Sequence, residues 1–177
     1  MLFRERRSDR RVARRCRDDL VPFVTRQTGA HWETEVSPGG ELAVELLIEL
    51  AGHVGPQVSV VVDDRRGGAR WTQAQVPLGD VRDALVRLRT ALARYGGVGI
   101  QLTGDGDTLT LTPLLTLHIV SRTDRWRYLL EGQGLVAKPR VPEKAWRKPG
   151  AAWASVPELS EAVADAITRL GLVRGTP

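Results

Sequence analysis

VGIQLTGDGDTLTLTPLLTLHIVSRTDRWRYLLEG, residues 98–132, is the stretch on which the fold turns. Successive side chains of a strand point to opposite sides, so Val98, Ile100 and Leu102 share one face. Asp105 and Gly106 supply a turn, and Leu109 and Leu111 return on that same face. Pro113 has no backbone donor and belongs at an edge or a junction between strands. Leu115, Leu117 and Ile119 continue the alternation, SRTD turns the chain again, and Trp126, Tyr128 and Leu130 complete a last strand whose rings face the core. The stretch reads as three or four antiparallel strands.

Upstream lies the clearest helix, residues 79–95. Leu78, Val81, Leu85, Leu88, Leu92 and Tyr95 recur at spacings of three and four, with Asp80 and Asp83 early, Arg94 late, and Gly96 and Gly97 as its stop. Before it, QVSVVVDD (57–64) places Val58, Val60 and Val62 on one face, DDRRGG turns, and ARWTQAQV (69–76) returns. HWETEV (31–36) alternates and SPGG turns again. ELAVELLIELAG (41–52) fits either period; we read it as a strand, because the turn before it and the strand after it make a meander.

Residues 132–154 have no period and carry Pro139, Pro142 and Pro149; a loop of this length within a compact domain is functional or disordered. A C-terminal helix is predicted over 156–171, with Ser155 as its cap, Glu158 as capping-box partner, and Leu159, Val163, Ile167 and Leu170 on its apolar face. LVRGTP is read as a tail. At the other end, Val12, Cys16 and Leu20 recur every four residues, which predicts a helix over about 9–20 that Pro22 ends. The expected division is a basic helical arm, 1–28, and one α+β domain, 29–177.

The expected architecture is α+β: a mostly antiparallel, curved sheet with two helices packed on one face and a basic N-terminal helix at its margin. The 177 residues suit a single core, and 42% apolar with 27% charged residues argues against a disordered chain. No apolar run reaches the roughly 18–20 residues of a membrane span. A charged N-terminus without an apolar segment behind it gives no secretory signal, and the single cysteine, Cys16, fits a reducing compartment, so a cytoplasmic protein without membrane partners is expected.

Charge is unevenly distributed. Residues 1–17 hold eight arginines against Glu5 and Asp9, and residues 122–148 hold eight cations against Asp124, Glu131 and Glu143. The rest of the chain is therefore slightly acidic, although the whole carries +5. Only 3 of the 26 basic residues are lysine, so some arginines reflect codon usage.

Catalytic and metal chemistry find little footing. His31, His53 and His118 lie in different segments, and Cys16 sits on an apolar stripe. GDGD (104–107) lacks the later acidic ligands of a calcium loop, and no phosphate-binding glycine motif opens a helix. An enzyme is therefore the third reading, and no cofactor or metal is expected.

Cations interleaved with aromatics remain. Arginine and lysine neutralise phosphates, and an exposed ring stacks on an unpaired base. The first expectation is a non-enzymatic nucleic-acid-binding accessory protein acting on single-stranded DNA or RNA. Its arm would contribute Arg4, Arg6, Arg7, Arg10, Arg11, Arg14 and Arg15; its loop would contribute Lys138, Arg140, Lys144, Trp146, Arg147 and Lys148. The alternative is an interaction module that binds an acidic protein or its own copy as a homodimer. The order helix, strands, helix, strands, helix resembles the small α+β chaperones of type III secretion, in topology and without a shared motif. That resemblance implies protein binding, often as a dimer.

Overall fold

A computed structural model describes residues 21–140, 153 and 155–175. Its element order is β1 (Pro22–Thr28), β2 (His31–Val36), α1 (Gly40–Ala51), β3 (Gln57–Asp64), β4 (Ala69–Pro77), α2 (Leu78–Tyr95), β5 (Val98–Gly104), β6 (Asp107–Leu111), β7 (Leu117–Ser121), α3 (Arg125–Gly132), β8 (Val136–Ala137), α4 (Pro157–Arg169) and β9 (Val173–Arg174). The nine strands form one open sheet in the order β8-β1-β2-β7-β6-β5-β3-β4-β9. All pairings are antiparallel except β1 with β8. The fold is thus α+β with a mostly antiparallel sheet. The predicted N-terminal helix lies outside the described residues.

The alternation of apolar residues explains why the sheet has one dry face. Phe23, Val36, Leu117, Leu111, Ile100, Val62 and Trp71 are successive cross-strand partners, and so form one apolar row across seven strands. Thr34, Ile119, Leu109, Leu102 and Val60 make the next row. The intervening residues point the other way: Val24, Glu35, His118, Thr110, Gln101, Val61 and Thr72 form a predominantly polar row. Each large apolar side chain buried on the dry face is worth about 1.5–3 kcal/mol. The buried side chains of α1, α2, α3 and α4 join that face in one cluster, and α2 contacts both α1 and α4.

Several sequence expectations are corrected. Residues 41–52, read as a strand, form α1 over Gly40–Ala51, with Ala43, Val44, Leu46, Leu47 and Leu50 buried at helical spacing. Their composition decides between two equally good periods, since Glu, Leu and Ala are strong helix formers. Trp126, Tyr128 and Leu130, read as the last strand, belong to α3; Trp126 and Leu130 are one helical turn apart and buried, while Tyr128 points out. Leu115 is not in a strand but in the turn Thr112–Thr116, at φ 59. The C-terminal helix starts after Val156, with no side-chain cap from Ser155, and the supposed tail pairs with β4 as β9. Within 1–28, residues 22–28 are the sheet strand β1.

Besides Leu159, Val163 and Ala166, which are buried in the core, two polar contacts link α4 to the body. The Tyr95 hydroxyl donates to Glu158 at 2.9 Å, and that bond holds the phenol above its ordinary pKa. At the β3–β4 turn, Arg66 donates to both carboxylate oxygens of Asp64, at 2.8 and 2.6 Å, and to Ser160 of α4 at 3.3 Å. Gly97, at φ +79, permits the closure: a Cβ there would lie 2.9 Å from the Trp153 ring and 3.1 Å from the Arg66 stem. Within α4, the Arg169 guanidinium bonds Asp165 at 2.7 Å, lowering the pKa of that carboxyl.

Candidate nucleic-acid interface

Two of the expected site residues, Lys138 and Arg140, follow β8 at the edge of the sheet where it pairs with β1. β8 lies parallel to the start of β1, with Pro22 opposite Val136 and Phe23 opposite Ala137. Val136 N–H donates to Val21 O at 3.1 Å, and Lys138 N–H donates to Phe23 O at 2.8 Å. Val21 is where residues 1–20 join the fold, and Lys138 is the first cation of the loop expected to bind phosphate. Their roots are thus on neighbouring strands, which run about 4.8 Å apart. Pro139 lacks a donor and stops the pairing after those two residues.

This arrangement is set up by α3. Gly134 turns at φ 84 and donates to Glu131 O, and Leu135 N–H returns to Leu130 O, so the chain leaves the helix directly into β8. Trp126 and Leu130 anchor the helix in the core. Arg125 ties its first turn to the sheet: the guanidinium pairs with Asp107, donates to His53 O at 2.6 Å, and lies 5.3 Å from the Trp126 ring centroid. The His53 ring meets Trp126 edge-on at 6.3 Å. Asp107, nearly buried, is thereby neutralised in place. The Trp126 indole N–H has no hydrogen-bond partner among the described residues.

The outward side of α3 carries Arg127, bonded to Glu131 at 3.2 Å, and Tyr128, which is 61% exposed. Just before the helix, the Arg122 side chain lies against Gly106 of the β5–β6 turn, where a Cβ would sit 3.3 Å from Nε. Arg122, Lys138 and Arg140 are exposed and have no acidic partner among the described residues. An exposed guanidinium or ammonium without a counter-charge is free to neutralise a phosphate.

The expected site residues therefore divide. Lys138 and Arg140 are described and lie just beyond β8. Arg4, Arg6, Arg7, Arg10, Arg11, Arg14 and Arg15 of the arm, and Lys144, Trp146, Arg147 and Lys148 of the loop, lie outside the described residues. Tyr128 and Arg122 were absent from the expected site. The signal that finds Tyr128 is the four-residue spacing of Trp126 and Leu130, which makes the segment helical and turns the intervening ring to solvent.

Other chemistry stays dispersed. His31 opens β2, His53 follows α1, and His118 lies on the polar face of β7. No group of three metal-ligating side chains occurs among the described residues. GDGD forms the tip of the β5–β6 hairpin, with Asp107 paired to Arg125 and Asp105 against Gly55. No helix among the described residues is long and apolar enough to cross a membrane. Comparison with protein-family models, with curated proteins and with solved structures finds no match to this chain.

Proposed function

We propose that this chain is a non-enzymatic nucleic-acid-binding accessory protein whose basic arm and basic loop act together on one phosphate backbone. The observation that carries the reading is the β1–β8 pairing, which roots the two basic segments beside each other at a single sheet edge. Arg4, Arg6, Arg7, Arg10, Arg11, Arg14 and Arg15 contact phosphates from the arm. Lys138, Arg140, Lys144, Arg147 and Lys148 do so from the loop, where Trp146 stacks on a base. This chemistry needs no cofactor.

The test is a titration of the full chain with labelled single-stranded and duplex oligonucleotides at several salt concentrations. A variant with the seven arm arginines replaced by alanine is titrated alongside. The reading predicts binding that weakens steeply with salt, and a duplex slope reduced by roughly 0.9 for each phosphate that the variant no longer neutralises. Absence of binding by the full chain at low salt overturns it.

A second reading, a protein-binding module of chaperone-like kind, would use the sheet face opposite the helices, which no described element covers and where the exposed Val120 lies beside the predominantly polar row from Val24 to Thr72. A partner or second copy covering that face would bury Val61 and Val120 among threonines. Light scattering that gives a dimer mass, abolished by Val120→Glu, supports it; a monomer at all concentrations opposes it.

A further inference from the structure

We infer that Tyr128 is a base-stacking platform that gives this surface a preference for single-stranded nucleic acid; the inference rests on the nucleic-acid reading above. Exposure together with an aromatic ring separates Tyr128 from the other large apolar side chains. Val86, Leu114, Val120, Tyr128 and Val173 are the exposed ones among the described residues, and Tyr128 alone of these has an aromatic face. Tyr128 is 61% exposed and its hydroxyl has no hydrogen-bond partner among the described residues, while its neighbours Trp126 and Leu130 are the side chains of the helix buried in the core.

The surroundings suit a nucleotide. On a helix, residues three and four apart are neighbours, so Arg125 lies one turn before Tyr128 on the same flank. Arg125 is held by Asp107 and His53 O over the Trp126 ring, so its charge is already committed within the fold. On the other flank the Arg127–Glu131 pair is self-neutralised. The cations left for phosphates are Arg122 before the helix and Lys138 and Arg140 after β8, which packs against α3. Along the chain, exposed cations without an acidic partner among the described residues flank α3 at both ends with the Tyr128 ring between them, so a strand lying along the helix would meet phosphate-neutralising charge on either side of the ring. In a duplex the base faces are already stacked on one another, so only an unpaired base can lie on Tyr128.

The experiment uses the full chain as wild type, Tyr128→Ala and Tyr128→Phe. Each is titrated with a short oligothymidylate, with a strand of equal length made of abasic sites, and with a duplex. Because the ring is exposed, both variants should unfold at the wild-type urea concentration. The inference predicts that Tyr128→Ala weakens oligothymidylate binding by about 5- to 150-fold, with abasic-strand and duplex binding unchanged, and that Tyr128→Phe retains wild-type binding. Equal affinities of wild type and Tyr128→Ala for oligothymidylate overturn the inference and leave the phosphate-binding reading standing. Equal losses on all three ligands also overturn it, because they assign Tyr128 no role toward the base. Failure of wild type to bind any of the three at low salt overturns both.

Discussion

At the β3–β4 turn, the Arg66 side chain is 5% exposed and each of its three guanidinium nitrogens bonds Asp64 or Ser160. Beyond β8, Lys138 and Arg140 are exposed and face no acid among the described residues. Both regions come from the same arginine-rich composition, yet one spends its charge inside the fold and the other keeps it for solvent or a ligand. Arginine count therefore says little about function until burial and pairing separate the two uses. Arg125 stands between them, because it holds Asp107 and still shows 45% of its side chain.

This contrast can be broken most sharply at Arg66. Arg66→Ala leaves the nearly buried Asp64 carboxylate without its counter-charge, with only the backbone N–H of residue 66 still donating to it, and should cost about 3–5 kcal/mol in urea unfolding, while the salt dependence of oligonucleotide binding stays as in wild type. A stability loss near zero would make the turn as open as the β1 edge. Arg125→Ala should cost less, about 1–3 kcal/mol, because solvent reaches the guanidinium, and it should also loosen α3. Normal stability would show that Trp126 and Leu130 hold the helix unaided.

Lys138→Ala with Arg140→Ala should change stability by no more than about 0.5 kcal/mol. The same pair should lower the single-strand salt slope by about 0.7 for each phosphate left without its cation. A large stability loss there would erase the distinction between the two regions. The smallest effect is expected from the exposed Tyr95–Glu158 bond. It raises the Tyr95 pKa above 10.0, so its contribution is present below the pKa of the unfolded phenol and fades as pH rises through the folded value. Tyr95→Phe should remove that alkaline component from the pH dependence of stability. Asp165 has the opposite sign: lowered from 3.8 by Arg169, it contributes at neutral pH and fades as pH falls through its folded value.

The sheet was largely legible in the sequence because period-two patterns at Val58–Val62, Val98–Leu102 and Leu109–Leu111 have one reading each. Residues 41–52 were not, since LVLIL on one side and EAELE on the other satisfy a strand as well as Ala43, Val44, Leu47 and Leu50 satisfy a helix. Helix propensity separates the two, because Glu, Leu and Ala favour the helix. Tyr128 is hidden in the same way, since its exposure follows only once residues 125–132 are helical. The β1–β8 junction was hidden for another reason: two-residue strands carry no periodicity, and pairing between residues more than a hundred positions apart leaves no local trace. Lys138 and Arg140 are legible by charge alone, and only the long-range pairing puts Lys138 against Phe23, two residues beyond Val21.

Whether the arm and the loop act as one interface is read by a double-variant cycle on the salt slope. Full-length wild type, the seven-arginine arm variant, the Lys138→Ala/Arg140→Ala variant and their combination are each titrated with one short single-stranded oligonucleotide across a salt series. A shared interface predicts that each set alone lowers the slope on that same oligonucleotide and that the combination lowers it furthest. A loop variant whose slope equals that of wild type, with the arm variant accounting for the whole reduction, would contradict it.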